Sequence, residues 1–167
     1  KENDFVHLLD RGLKQKDTSA VVNVVNVAVW ERDFSLDKSS LLDSYLTPDV
    51  DCIVFNAGGN VVDDNGFSSA LIELMDYCFS KVPTADGYIN SRLFPLAIKD
   101  NALSAAANAL NLTYVNCAVS DPEEYTSRMG DYVLGDYSAD NGSTWNEDIQ
   151  VLYPISHNGV ASHPGDN

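Results

Sequence analysis

Residues 51–60 read Asp51-Cys52-Ile53-Val54-Phe55-Asn56-Ala57-Gly58-Gly59-Asn60, a short apolar run that breaks into two glycines and an amide. A β-branched and aromatic run of this length, bounded by turn residues, reads as a buried strand. The flanking sequence alternates further strands with helices. Upstream, Val21 to Trp30 (VVNVVNVAVW) reads as another buried strand, and Asp4 to Lys16 places Phe5, Leu8, Leu9 and Leu13 at helical spacing above a basic C-terminal end. Ser39 to Leu46 reads as a short helix that Pro48 stops. Downstream, Gly66 to Val82 carries Phe67, Leu71, Leu74, Met75 and Cys78 on one helical face and ends before Pro83. A third strand is expected over Asp86 to Ser91, an Ala-rich helix over Lys99 to Leu110, and a fourth strand over Leu112 to Val119 (LTYVNCAV). Strands alternating with helices imply βαβ units. The expected fold class is α/β, a three-layer sandwich with a central parallel sheet covered on both faces.

The 167 residues suit one domain, 1–167, and a hydrophobic content of 44% is enough to build a core. Ten basic against 25 acidic side chains leave a net charge of −15. A surface so negative repels phosphate backbones and anionic lipid, so neither nucleic acid nor a membrane is expected as a partner. No apolar stretch approaches the ~20 residues of a membrane-spanning helix. The three cysteines form no CxxC pair, and Cys52 and Cys117 lie in strand-like runs where a thiol behaves as a small buried hydrophobe. No metal site is indicated. The sequons at Asn111 and Asn141 matter only in a glycosylating secretory pathway.

Residues 120–148 break the rhythm. They hold Asp121, Glu123, Glu124, Asp131, Asp136, Asp140, Glu147 and Asp148 against Arg128 alone, interleaved with Tyr125, Tyr132, Tyr137 and Trp145. This segment reads as a solvated acidic insertion, or as a lid whose aromatic rings and carboxylates suit sugar rings and hydroxyls.

Ligands of an open parallel sheet sit beyond the carboxyl ends of its strands. Three segments are expected there: residues 28–33, residues 58–64 and residues 157–167. Gly58-Gly59-Asn60 offers permissive backbone and an amide able to donate to an oxyanion. His163, in Ser162-His163-Pro164-Gly165, lies in a loop and titrates near neutrality, as a general base must. Trp30, Glu31 and Arg32 sit beside the expected cleft. Glu31 positions a loop or a sugar hydroxyl, or forms an ion pair with Arg32. His157 is a further candidate for the cleft lining.

In order and spacing these blocks resemble the SGNH (GDSL-like) hydrolase superfamily. Gly58-Gly59-Asn60 matches its Gly-x-Asn block and Ser162-His163-Pro164 its final His block, while Asn26 to Asp33 stands where its second block lies. The resemblance implies a flavodoxin-like sheet and a serine esterase acting on ester (acetyl) groups of carbohydrate, with no cofactor. By the same resemblance His163 is the base, Asn60 donates to the oxyanion, Gly58 and Gly59 shape its loop, and Ala28 (or Val29) supplies a backbone N–H that family members usually take from Gly. Substrate contacts fall to Trp30, Glu31 and His157.

The sequence departs from the family in three ways. The block bearing the nucleophilic Ser is absent, so an upstream segment or a second chain is expected to supply that strand. Val160 stands where an Asp often precedes the His. The closing helix is also missing, so the domain is expected to be incomplete at both ends. The alternative is a catalytically inactive binding or structural module within a larger protein or assembly, in a secreted or extracellular setting. A nucleotide-binding flavodoxin-like reading lacks the Gly-rich phosphate loop it needs after the first strand.

Overall fold

The computed structural model describes residues 5–118, 128–140, 144 and 146–156. The chain divides into two compact units, Lys1–Ala118 and Val119–Asn167.

The first unit is mixed α/β. In order it holds α1 (Phe5–Lys16), α2 (Ala28–Arg32), α3 (Lys38–Leu42), β1 (Cys52–Phe55), α4 (Asp64–Lys81), β2 (Asp86–Asn90), α5 (Ala97–Ala109) and β3 (Thr113–Val115). The strands form a parallel sheet in the order β1-β2-β3, with Phe55 opposite Ile89 and Ile89 opposite Tyr114. Local chemistry sets the helix ends. The Asp63 carboxylate caps α4 by accepting from the Asn65 and Gly66 amides. Beyond α5, Asn111 takes a left-handed φ of 53°, which lets the Leu112 amide close onto the Ala107 carbonyl at 2.8 Å.

Both crossovers step the same way along the sheet, and right-handed connections then put α4 and α5 on one face. The core agrees: Phe55 and Ile89 pack with Leu71, Leu74 and Met75 of α4 and with Leu103, Ala106 and Ala107 of α5. A Cβ on Gly87 would meet Phe79 Cζ and Leu112 Cδ2 at 2.6 Å each, so only glycine leaves those two side chains their space. The opposite face differs from the expectation of helices on both sides. Among the described residues it presents exposed Val54, Thr113 and Val115. Helix α1 buries none of its residues, and its apolar stripe of Phe5, Leu8, Leu9 and Leu13 is exposed.

Two further expectations are corrected. Val21 to Trp30 is not a buried strand: residues 21–27 pair with no ladder, Val21 and Val24 are 77% and 61% exposed, and the segment turns helical at Ala28. Strand propensity becomes a strand only where a neighbour offers its N–H and C=O groups, and no described strand offers them here. Val25 and Val27 still lean on the core. Cys52 and Cys117 are exposed, one on the open sheet face and one beyond the end of β3, whereas Cys78 is buried in α4.

In the second unit β4 (Tyr132–Tyr137) and β5 (Asn146–Pro154) form an antiparallel hairpin, with Tyr132 opposite Pro154 and a register shift between Asp136 and Tyr137. Ile155 anchors its open end, donating to the Asp131 carbonyl at 2.7 Å and accepting from the Gly130 amide at 3.0 Å. Residues 132–137 and 146–148 of the expected acidic insertion are therefore strand. In the turn, the Asp140 carboxylate accepts from the Thr144 amide and hydroxyl, both at 2.8 Å, and from the Ser138 hydroxyl. No helix among the described residues is long and apolar enough to cross a membrane.

Candidate functional site at the carboxyl end of the parallel sheet

Chain leaving β1 must turn sharply, and Gly58 makes the turn with φ +102°, a region that favours glycine. Its missing side chain leaves ordinary contact distance to the Phe67 ring and the Arg92 stem. A buried carboxylate fixes the backbone on both sides of the turn. Glu31, 3% exposed on α2, accepts from the Gly58 amide at 2.5 Å and the Asn60 amide at 2.7 Å. Two charge-assisted bonds from one carboxylate set the loop against α2. On the far side Lys99 of α5, also buried, donates to the Val61 carbonyl at 3.0 Å and stands 3.6 Å from Asp64 Oδ1. The loop is thus held at both ends.

The Asn60 side chain is oriented as well. Arg32 Nη2 donates to Asn60 Oδ1 at 2.7 Å. A guanidinium only donates, so the atom facing it must be the amide oxygen, and Nδ2 is turned away as a donor with no partner among the described residues. An amide held with its N–H₂ presented is the arrangement an oxyanion donor needs.

Other positions take different roles from those expected. The Ala28 amide donates to Asn26 Oδ1 at 2.9 Å, so it is committed to the entry turn of α2 and not presented to a ligand. Its neighbour Val29, at the start of the same helix, has no side-chain cap on its amide. Trp30 is wholly buried, 5.1 Å from the Phe34 ring, which in turn stacks on Phe67 at 6.3 Å. A ring so placed is core beneath the loop and offers no face to a sugar; its Nε1 has no hydrogen-bond partner. Glu31 is the exception: it positions the loop, one of the roles expected of it, and it forms no ion pair with Arg32. Gly59 is exposed at the apex, between the two clamped amides. His157 and His163 lie outside the described residues.

Sequence reasoning missed the segment after β2. Ser91 is buried; its Oγ accepts from the Cys117 amide at 2.7 Å and lies 3.3 Å from Asn116 Oδ1, tying the ends of β2 and β3. Asp100 accepts from the Arg92 amide at 3.1 Å and the Leu96 amide at 2.6 Å, which fixes where Arg92 leaves the sheet. The strand-end rule that singled out Gly58 applies equally to Ser91-Arg92. Among the described residues no group of His, Cys, Asp or Glu could hold a metal ion.

Compared with known proteins, the chain matches no family model, no curated protein and no solved structure.

Proposed function

We propose that this chain carries part of the active site of an SGNH-type serine esterase that removes acetyl groups from carbohydrate. The observation that supports the reading best is the Gly58–Asn60 loop: a strand-end turn, clamped by a buried glutamate, with Arg32 turning the Asn60 amide donor outward. In this mechanism a serine hydroxyl attacks the ester carbonyl while His163 takes its proton. Asn60 Nδ2 and the Gly59 amide donate to the oxyanion of the tetrahedral intermediate, each donor lowering the barrier by roughly 3 kcal/mol. Collapse expels the sugar alcohol, protonated by His163, and water then releases acetate by the same route.

The serine arrives on a strand supplied by an upstream segment or a second chain. Its place in a flavodoxin-like order, 2-1-3-4-5, lies between Val21–Val27 and β1. That placement accounts for a valine-rich segment with no ladder, because in this order the second strand has the first as its sole neighbour. The sheet would then complete its fold as the sequence leads one to expect.

The test is hydrolysis of an acetyl ester by the protein with the serine strand present. Asn60→Ala and His163→Ala should each cut turnover by roughly 10²-fold or more with the fold intact. Wild-type rates in either variant overturn the assignment. Failure of a serine-reactive fluorophosphonate to label any associated serine would favour the inactive module.

A further inference from the structure

In a chain with 25 acids against 10 bases, a cation has no shortage of partners. Lys14, Lys38, Lys81 and Lys99 each stand within 3.6 Å of a carboxylate. Lys16, exposed at the end of α1, does not, and neither do Arg32 and Arg92: among the described residues no carboxylate lies within ion-pair distance of either guanidinium. Both flank the same loop. Arg32 touches Asn60, and the Arg92 stem lies 3.8 Å from where a Gly58 Cβ would be. The nearby acids are spent elsewhere, Glu31 on the Gly58 and Asn60 amides and Asp100 on the Arg92 and Leu96 amides. Neither guanidinium head is thereby engaged by a carboxylate, although Glu31 and Asp100 keep their charges close to the loop.

We infer that Arg32 and Arg92 form a subsite for one carboxylate of the ligand, so that the sugar presented to the Gly58–Asn60 loop is an acidic one, such as a uronic acid. Arg32 keeps donors to spare after bonding Asn60, and the stem of half-buried Arg92 is packed in place, which lowers the entropy lost when its head engages an anion. A single carboxylate fits better than a polyanion. The net charge of −15 repels an extended anionic polymer over its whole length, while two guanidiniums act over less than the Debye length of about 8 Å at physiological salt. The identity of the sugar as substrate rests on the esterase reading; the anion subsite itself does not.

The experiment is an NMR titration of the ¹⁵N-labelled protein with D-glucuronate, glucose and acetate, read at the Gly58, Gly59 and Asn60 amides and the arginine Nε–H groups. Saturable shifts are expected with glucuronate and none with glucose, with acetate weaker by roughly tenfold. Arg92→Gln should weaken glucuronate by roughly tenfold, and Arg92→Lys should recover part of the loss. Arg32→Gln serves as the second variant, and an unchanged amide spectrum away from the loop confirms folding. Equal shifts with glucose, acetate as strong as glucuronate, or Arg92→Gln binding like wild type would each overturn the inference. The readout needs no turnover, so glucuronate binding together with no acetyl-ester hydrolysis when the serine strand is present overturns the esterase reading alone. Hydrolysis of neutral acetylated sugar with no glucuronate binding overturns the subsite alone.

Discussion

Glu31 does more for the candidate site than any other side chain, and it does so without facing the ligand. A carboxylate accepts at both oxygens, whereas glutamine of the same shape accepts at one and points an N–H₂ at the other amide. Glu31→Gln should therefore lower the free energy of unfolding by about 2 kcal/mol, because one buried backbone N–H loses a charged acceptor. Chemical denaturation measures this, and a loss below about 0.5 kcal/mol would mean that the loop holds itself. The cysteines give a second residue-scale prediction. Burial pushes the Cys78 thiol up to about 11. The Cys52 thiol, although exposed, is also raised, chiefly by the partial desolvation its neighbours impose and then by Asp86 and Asp51. A thiolate is the reactive form, so iodoacetamide at mildly alkaline pH should spare Cys78 in the native protein and label it only after unfolding. Labelling of native Cys78 by mass spectrometry at the unfolded rate would contradict the packing of α4.

The helices and strands carry their own tests. Asp63→Ala removes the cap of α4 and should cost about 1 kcal/mol. Gly87→Ala in β2 should cost about 1–3 kcal/mol, since the new methyl collides with Phe79 and Leu112. Helix α3 offers a pH readout. The Ser39 hydroxyl, with the Ser39 and Ser40 amides, holds the Asp37 carboxyl below its ordinary value. A depressed folded-state value means that the cap's contribution is full above an ordinary aspartate pKa of about 3.9 and is lost as pH falls through the lowered one. The Asp37 carboxyl resonance should accordingly titrate below that ordinary value, and Ser39→Ala should move it back up. A midpoint unchanged by that substitution would remove the hydroxyl as the cause. At this scale the sequence was readable wherever an element holds its own signals. Phe67, Leu71, Leu74, Met75 and Cys78 recur at helical spacing between a cap and Pro83, and α4 runs as that pattern says. Val21 to Trp30 failed for the opposite reason, because a strand depends on a neighbour that its own residues cannot announce. Trp30 reads as a ligand platform from its place beside the cleft; it is buried in the core with its ring tilted against Phe34, which stacks on Phe67, contacts fixed by tertiary structure.

For the molecule as a whole, charge is the dominant variable. Fifteen uncompensated negative charges repel one another in the folded chain. Raising salt from about 20 mM to about 0.5 M shortens the screening length and should raise the unfolding temperature, as differential scanning calorimetry would record. A fall over that range would mean that attractive pairs such as Lys81–Asp43 outweigh the repulsion. Gly58 to Asn60 was legible as a candidate site at the level of the whole fold, because strand ends are where open parallel sheets bind. Arg92 was not, since its significance lies in lacking an acid that the composition makes abundant.

The ladderless run from Val21 to Val27 has one more consequence. A valine-rich segment that joins no ladder and exposes Val21 and Val24 is the kind of template on which copies of a chain stack into fibrils. Asn23 and Asn26 interrupt its valine pairs, and the chain's surplus of carboxylates keeps molecules apart in solution. Near its isoelectric point that electrostatic barrier falls, so thioflavin-T fluorescence of a concentrated solution at pH about 4.2 should rise, and Val24→Lys should suppress the rise; no rise in the wild type would mean that the segment is protected.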